Sequence, residues 1–228
     1  MYLRRMIVAL ALTGSVASCS RETTGPADIS NDGGLGNKTL FVEATVDVDW
    51  DSEAASFVSR FRVIVLDGND REVREADVTI LGGFGSQTLL EDKDAGVYEG
   101  QLARAVWGTL ELSIEKDGMS VTDVKLSSIG IHDFLEPMTN DEIQKDTPLT
   151  VRWLHDMEAP LARLATADFS WEDIPDTGEY VIPPEQNPEN RDQRIELVRS
   201  NEVSLSGALA GSFFRIEVRN VVEPLVVR

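Results

Sequence analysis

From Leu40 the chain alternates with a period of two: Val42, Ala44, Val46, Val48 and Trp50 fall on one side, Glu43, Thr45, Asp47, Asp49 and Asp51 on the other. Successive strand side chains point to opposite faces, so this segment reads as a strand with one buried face, Trp50 included, and one acidic, wetted face. The pattern recurs. Phe57 to Leu66 is rich in β-branched and aromatic residues and stops at the turn signal Asp67-Gly68-Asn69-Asp70. Val73 to Leu81, Gln87 to Leu90, Val97 to Leu102, Thr109 to Lys116 and Met119 to Leu126 follow, with Lys116-Asp117-Gly118 as a hairpin turn between the last two. Strands this short, with turns every ten residues or so and no competing helical periodicity, predict an all-β chain of packed antiparallel sheets.

Residues 128–147 carry Pro137, Thr139, Asn140, Asp141 and Glu142 and interrupt the alternation. The reading is a linker over 134–147, with Asp141 to Gln144 at most one helical turn. A second set of strands then starts near Pro148: Leu149 to Leu154, Leu161 to Phe169, Gly178 to Ile182, Arg194 to Val198, Val203 to Leu205, Phe213 to Val218 and Leu225 to Val227. Pro183-Pro184 ends one of them, because proline cannot donate to a ladder. The expected organisation is two antiparallel β-sandwich domains, 39–133 and 148–228, each near the usual size for such a unit.

Ahead of the strands, residues 20–38 hold four glycines and few apolar side chains. Such a composition predicts a flexible tether over 19–38. The first eighteen residues have a cationic start at Arg4-Arg5, an apolar run from Met6 to Leu12 and a small-residue stretch from Thr13 to Ser18, the layout of a secretory signal. The apolar run is too short to span a bilayer, which takes about 20 residues. Val16-Ala17-Ser18-Cys19 resembles the lipobox of bacterial lipoproteins. That resemblance implies cleavage of 1–18 as a signal peptide, recognition through Val16, Ala17 and Ser18, acylation of Cys19, and a membrane-anchored envelope protein. Ser20 after the cysteine resembles the outer-membrane sorting pattern. Arg4-Arg5 also invites a twin-arginine export reading, but the surrounding motif is incomplete. The alternative for Cys19 is an ordinary cleaved signal containing a thiol; a single cysteine makes no internal disulfide.

Two further resemblances concern fold alone. Gly96-Val97-Tyr98-Glu99-Gly100 followed by Gly108-Thr109-Leu110-Glu111-Leu112-Ser113-Ile114 resembles the late strands of bacterial immunoglobulin-like and carboxypeptidase-regulatory-like modules, with Leu110 where those modules usually carry tyrosine. Asp176 to Pro183 and Gly207 to Phe213 resemble segments of another extracellular β-sandwich module. The implied domains are immunoglobulin-like.

Losing Arg4 and Arg5 takes the formal charge from −19 to −21. A surface this acidic repels nucleic acid, which is not expected as a partner. Expected partners are membrane lipid through Cys19 and a protein or glycan of unspecified identity. Chemistry-bearing patterns are few. The two histidines, His132 and His155, are followed by Asp133 and Asp156, so a Ser-His-Asp arrangement is conceivable for a hydrolase, but no G-x-S-x-G elbow is present. No zinc motif appears, and the histidines are assigned to different domains. Asp47-Val48-Asp49-Trp50-Asp51-Ser52-Glu53 suggests calcium, yet it lacks the sixth-position glycine and has Val58 at the twelfth position of an EF-hand loop. A solvated face is the simpler reading, unless Glu91-Asp92-Lys93-Asp94 completes a cage. Gly82-Gly83-Phe84-Gly85 reads as a connection rather than a phosphate cradle, because no helix follows. Trp50, Trp107, Trp153 and Trp171 would make a carbohydrate platform only if they lined one face. The sequence therefore predicts no catalytic residue, metal ligand or cofactor, and a non-catalytic structural or binding protein, with a carbohydrate- or peptide-binding module and a hydrolase as alternatives.

Overall fold

In the computed structural model, residues 30–51, 53, 55–92, 96–167, 171–187 and 194–227 are described. The signal-peptide segment and Cys19 lie outside them. The first strands are β1 (Leu35–Gly36), β2 (Leu40–Asp51), β3 (Ser56–Asp67), β4 (Asp77–Gly82), β5 (Gly85–Thr88) and β6 (Leu90–Glu91). Next come β7 (Val97–Leu102), β8 (Thr109–Lys116), β9 (Met119–Ser127), β10 (His132–Glu136), β11 (Glu142–Gln144) and β12 (Leu149–His155). The last are β13 (Leu161–Ala165), β14 (Glu172–Ile174), β15 (Glu179–Ile182), β16 (Ile195–Ser204), β17 (Phe213–Val222) and β18 (Leu225–Val227). Among the described residues every element is a strand apart from a 3₁₀ turn at Pro184–Gln186, so the fold is all-β.

One sheet is common to everything. Its eight strands run β14-β13-β16-β17-β2-β3-β7-β6, drawing β2, β3, β6 and β7 from the first half of the chain and the rest from the second. A five-stranded sheet, β1-β9-β8-β4-β5, contributes to one core with β2, β3, β7 and β17, where Val42, Val46, Phe61, Val63, Ile80, Leu112 and Leu126 are buried. A three-stranded sheet, β10-β12-β15, contributes to the second core with β13, β14 and β16, where Val151, Trp153, Leu164, Ile174, Ile182 and Leu197 are buried. The molecule is thus two sandwiches that share one wall.

The shared wall places strands differently from the sequence expectation. β17 pairs in parallel with β2, from Phe213↔Glu43 to Arg219↔Asp49. Leu205, Ala208, Phe214, Ile216 and Val218 accordingly belong to the first core, although they lie far beyond residue 147. The expected linker 134–147 is itself partly strand: β10 pairs β12, and β11, where at most one helical turn was expected, pairs β18 in parallel. The polar stretch Arg199 to Glu202, expected to separate two short strands, lies inside the single strand β16. Period-two alternation reports which face is buried, but not against which core, and here one strand meets two.

The glycine-rich segment also differs from the tether expected over 19–38. From Ser30 onward it is built into the fold: Asp32 and Lys125 exchange backbone hydrogen bonds of 2.9 and 2.8 Å, and β1 pairs with β9. A Cβ on Gly36 would sit 2.3 Å from the Gly207 carbonyl oxygen and 2.5 Å from that of Ser120. One on Gly207 would sit 2.2 Å from the Leu35 carbonyl carbon. These glycines permit close approach of three backbones, a use of glycine that composition does not distinguish from flexibility.

Other local signals read true. Asp117 and Gly118 both have positive φ, 45° and 84°, as a two-residue type I′ hairpin requires between Lys116 and Met119. In the Gly96-to-Gly100 motif, the buried Tyr98 hydroxyl donates to the Val73 carbonyl at 2.7 Å and accepts from the Ala76 N–H at 2.8 Å, fixing the crossing before β4. Leu110, which departs from the family tyrosine, is fully buried in the first core.

Two outcomes follow from this packing. Gly36→Ala forces backbone apart and should lower stability by about 1–3 kcal/mol, the usual range for overpacking, read as a fall in denaturant midpoint at constant slope. A chain ending at residue 147 lacks β17 and should show no cooperative thermal transition; a fragment melting cooperatively near the full chain's midpoint would mean that the first sandwich does not need the hairpin.

Candidate functional site

The strongest concentration of buried polar chemistry lies where β16 and β17 pass from one core to the other. Along β16 the inward positions are Ile195 and Leu197 in the second core, then Arg199 and Asn201, then Val203 against the first core. Along β17 they are Phe214, Ile216 and Val218, then Asn220, then Val222. Both strands therefore change from apolar to polar and back, in staggered fashion: Arg199 and Asn201 stand opposite Val218 and Ile216, and Asn220 opposite Leu197. The result is a polar layer between two apolar cores.

Asp176 is the hub of that layer. Arg199 donates to Asp176 Oδ2 from Nε at 2.9 Å and from Nη2 at 2.8 Å, and both side chains are wholly buried. The Ala159 N–H donates to Oδ2 at 2.6 Å and the Trp153 indole N–H to Oδ1 at 2.9 Å. Arg199 also donates to the Met157 carbonyl. Burial by itself would push the Asp176 carboxyl up, but these donors, Arg199 first among them, hold it below the usual carboxylate range. Asn220 donates to the His132 carbonyl at 2.9 Å, and Asn201 to the Ser127 carbonyl at 2.8 Å.

The two histidines, expected in different domains, face one another: His132 on β10 is in register with His155 on β12. Neither uses the aspartate that follows it, since Asp133 and Asp156 are exposed. Instead His155 Nε2 lies 3.7 Å from Asp176 Oδ1. His132 is 1% exposed and packs edge-on against Phe134, with neither ring nitrogen in a well-formed hydrogen bond. Burial, with the nearby Arg199 charge, lowers its pKa to about 3. His132, held neutral by burial, is a poor base, and among the described residues no serine hydroxyl bonds to either ring. The cluster ties strands together. Its sequence trace is the interruption of apolar alternation at Arg199, Asn201 and Asn220, readable only once β16 is known to be continuous.

The acidic face of β2 lies on the outside of the shared sheet, where charges alternate across strands. Asp49 accepts from Arg60 at 2.8 Å and has Arg219 at 3.9 Å. Asp51 accepts the Glu53 N–H at 2.9 Å. Asp47 stands opposite Glu217 on the parallel strand, and burial, Glu217 and Asp49 together raise its pKa. Glu217 in turn has Arg163 at 3.3 Å and Arg215 at 3.6 Å. Asp47 and Asp49 thus share the charges of Arg60 and Arg219, and among the described residues no three His, Cys, Asp or Glu side chains form a metal-holding group. Glu91 accepts the Glu75 N–H at 2.8 Å, while Lys93 and Asp94 lie outside the described residues. Shallow hollows of about 390 Å³ open on this face, one around Asp47, Arg60, Arg62 and Glu99, another around Leu161, Arg163, Arg215 and Glu217.

The tryptophans do not share a surface. Trp153 is buried on Asp176. Trp50, expected in the core, is 47% exposed and meets Phe57 edge-on at 5.3 Å, because β2 runs past the end of the apolar layer. Trp171 is half-exposed with Arg163 5.7 Å above its ring. Trp107 lies across the turn at Gly83. That turn, Gly82 to Gly85, closes the β4–β5 hairpin and leads into no helix.

No family model matches the chain, and no curated protein matches it. Solved structures similar to it include tandem Ig repeats of Dlar (10% identity, covering 83% of this chain and 98% of that one, TM-score 0.28). Fibronectin(III)-like modules of Clostridium thermocellum CbhA give 10% identity, 86% and 95% coverage and TM-score 0.26. The Yersinia pseudotuberculosis adhesin InvE gives 16% identity, 82% and 61% coverage and TM-score 0.27. Likenesses this loose carry no functional argument.

The His132 environment sets a pH dependence. Its folded pKa lies below the unfolded value near 6.5, so protonation favours the unfolded chain; the contribution is complete above about pH 6.5 and is lost progressively as pH falls toward 3. At pH 5 this one group should cost about 2 kcal/mol relative to pH 7.5, from 1.36 kcal/mol per pKa unit. Urea titrations should show the loss, and His132→Phe should flatten that limb.

Proposed function

We propose that the protein is a non-catalytic envelope lipoprotein that presents a stiff pair of β-sandwiches as a structural or binding unit. The carrying observation is the buried layer of Asp176, Arg199 and His132, with the partly buried His155 at its edge, in which ionisable groups of the kind an enzyme would expose are used to join two cores. A chain selected to hold two modules in fixed relation needs such a joint. The anchor is the acylated Cys19, with residues 1–18 removed; support comes from the Val16-Ala17-Ser18-Cys19 pattern behind a short apolar run. The location that fits is the bacterial envelope, with the outer membrane favoured by Ser20. Three acyl chains at about 0.8 kcal/mol per buried CH₂ would hold such a protein firmly.

A second reading, recognition of a glycan or peptide, is favoured by the outer face of the shared sheet, where Trp171 and Phe213 each carry an arginine, at 5.7 and 4.8 Å, beside shallow polar hollows. In each pair a cation–π contact holds an aromatic ring and a guanidinium together at the surface.

Cys19→Ser should shift the protein from the membrane to the soluble fraction and abolish labelling by a fatty-acid analogue. Equal labelling of both forms would defeat the anchor.

A further inference from the structure

The point where the described chain begins bears on which side of the molecule meets lipid. Ser30 is fixed at one end of the five-stranded sheet: its N–H donates to Ser127 Oγ at 3.2 Å, and that hydroxyl donates back to the Ser30 carbonyl at 3.1 Å. Ser127 is in register with Thr109, and the Ser128 N–H donates to the Gly108 carbonyl at 2.8 Å. Trp107 is the next residue. Its ring lies over the β4–β5 turn, so close that a Cβ on Gly83 would be 2.9 Å from it, yet Trp107 remains 61% exposed. Leu81, on the outer face of β4, is 46% exposed.

This surface differs from the rest in charge. The mature chain is strongly acidic, but Val78 to Leu90 and Ala105 to Leu110, the segments that make the Trp107 surface, contain no charged residue. Charged side chains flank it on one side, Glu111 directly opposite Leu81 and Lys125 opposite Glu111. An anionic or zwitterionic headgroup layer here meets one carboxylate, Glu111, with Lys125 in register beside it. Ten residues lie between Cys19 and Ser30, a span that even fully extended reaches at most about 40 Å. The Trp107 surface is the exposed apolar surface next to that attachment point, and an indole beside an aliphatic side chain is the kind of group that settles at a membrane–water interface.

We propose that the Leu81–Gly83–Trp107 surface rests on the bilayer to which Cys19 is anchored, orienting the sandwiches relative to the membrane. This rests on the lipid-anchor reading above. The test uses the acylated full-length protein in vesicles of phosphatidylcholine and phosphatidylglycerol, with and without bromine on the acyl chains, followed by tryptophan emission. Part of the wild-type emission should be quenched by the brominated lipid, and that part should vanish in Trp107→Phe and persist in Trp171→Phe. Leu81→Asp, which puts a carboxylate into the contact, should reduce quenching without removing the fluorophore, and matching melting temperatures confirm that the variants fold. Vesicle-bound protein with no quenching, or with quenching unchanged in Trp107→Phe, would overturn the contact and leave the anchor standing. Failure of the wild type to float with vesicles would overturn both.

Discussion

The ion pair of Asp176 with Arg199 is the constraint around which the two sandwiches are joined. Arg199 sits on β16 between side chains that belong to different cores, and Asp176 reaches it from the segment between β14 and β15. With both side chains wholly buried, neither charge is compensated by water. Removing one partner of such a pair typically costs about 3–5 kcal/mol, a large part of the roughly 5–15 kcal/mol that keeps a domain folded. The remaining donors matter equally: the Trp153 indole and the Ala159 N–H occupy the carboxylate positions that Arg199 leaves open. The layer is therefore satisfied on the aspartate side and tied at once to β12, β16 and the 157–159 loop.

That junction explains why the shared sheet is long. If the β16–β17 hairpin served only one core, its inward residues would be apolar throughout and each sandwich would need its own last strand. Here Phe214, Ile216 and Val218 close the first core beside β2, while Ile195, Leu197 and Val222 help close the second. Burial in one unit therefore presupposes the strand pairing that builds the other. Relative motion of tandem modules is the usual default because the contact between them is small and polar. A continuous hairpin through both cores removes that freedom, since bending at the waist would break ladder hydrogen bonds along β16 and β17.

The surface divides along similar lines. On the outside of the shared sheet, carboxylates and guanidinium groups alternate between neighbouring strands, as with Asp49 beside Arg60 and Arg215 beside Glu202 at 2.5 Å. Exposed pairs of this kind contribute little individually. Their effect is to keep a wide, flat sheet face wetted, which protects it from sheet-on-sheet association. Against that background the uncharged stretch around Trp107 stands apart.

The all-β class, most strand positions, the Asp117-Gly118 turn and the buried face of β2 were determined by the sequence itself, because period-two alternation and positive-φ turn residues are local properties. Tertiary structure alone decided which core each strand joined. β17 alternates in the same way whether it pairs with β2 or with a strand nearer in sequence, and Gly33, Gly34 and Gly36 look like a flexible segment until Gly207 and β9 close on them. Trp50 alternates with the core residues yet extends past their end, where it stays half-exposed against Phe57. The polar layer was the least legible feature. Arg199 and Asn201 resemble a strand break when read singly, and Asp176 gives no sign of a partner more than twenty residues away. An ion pair of that kind is defined by the meeting of two segments, which no local pattern encodes.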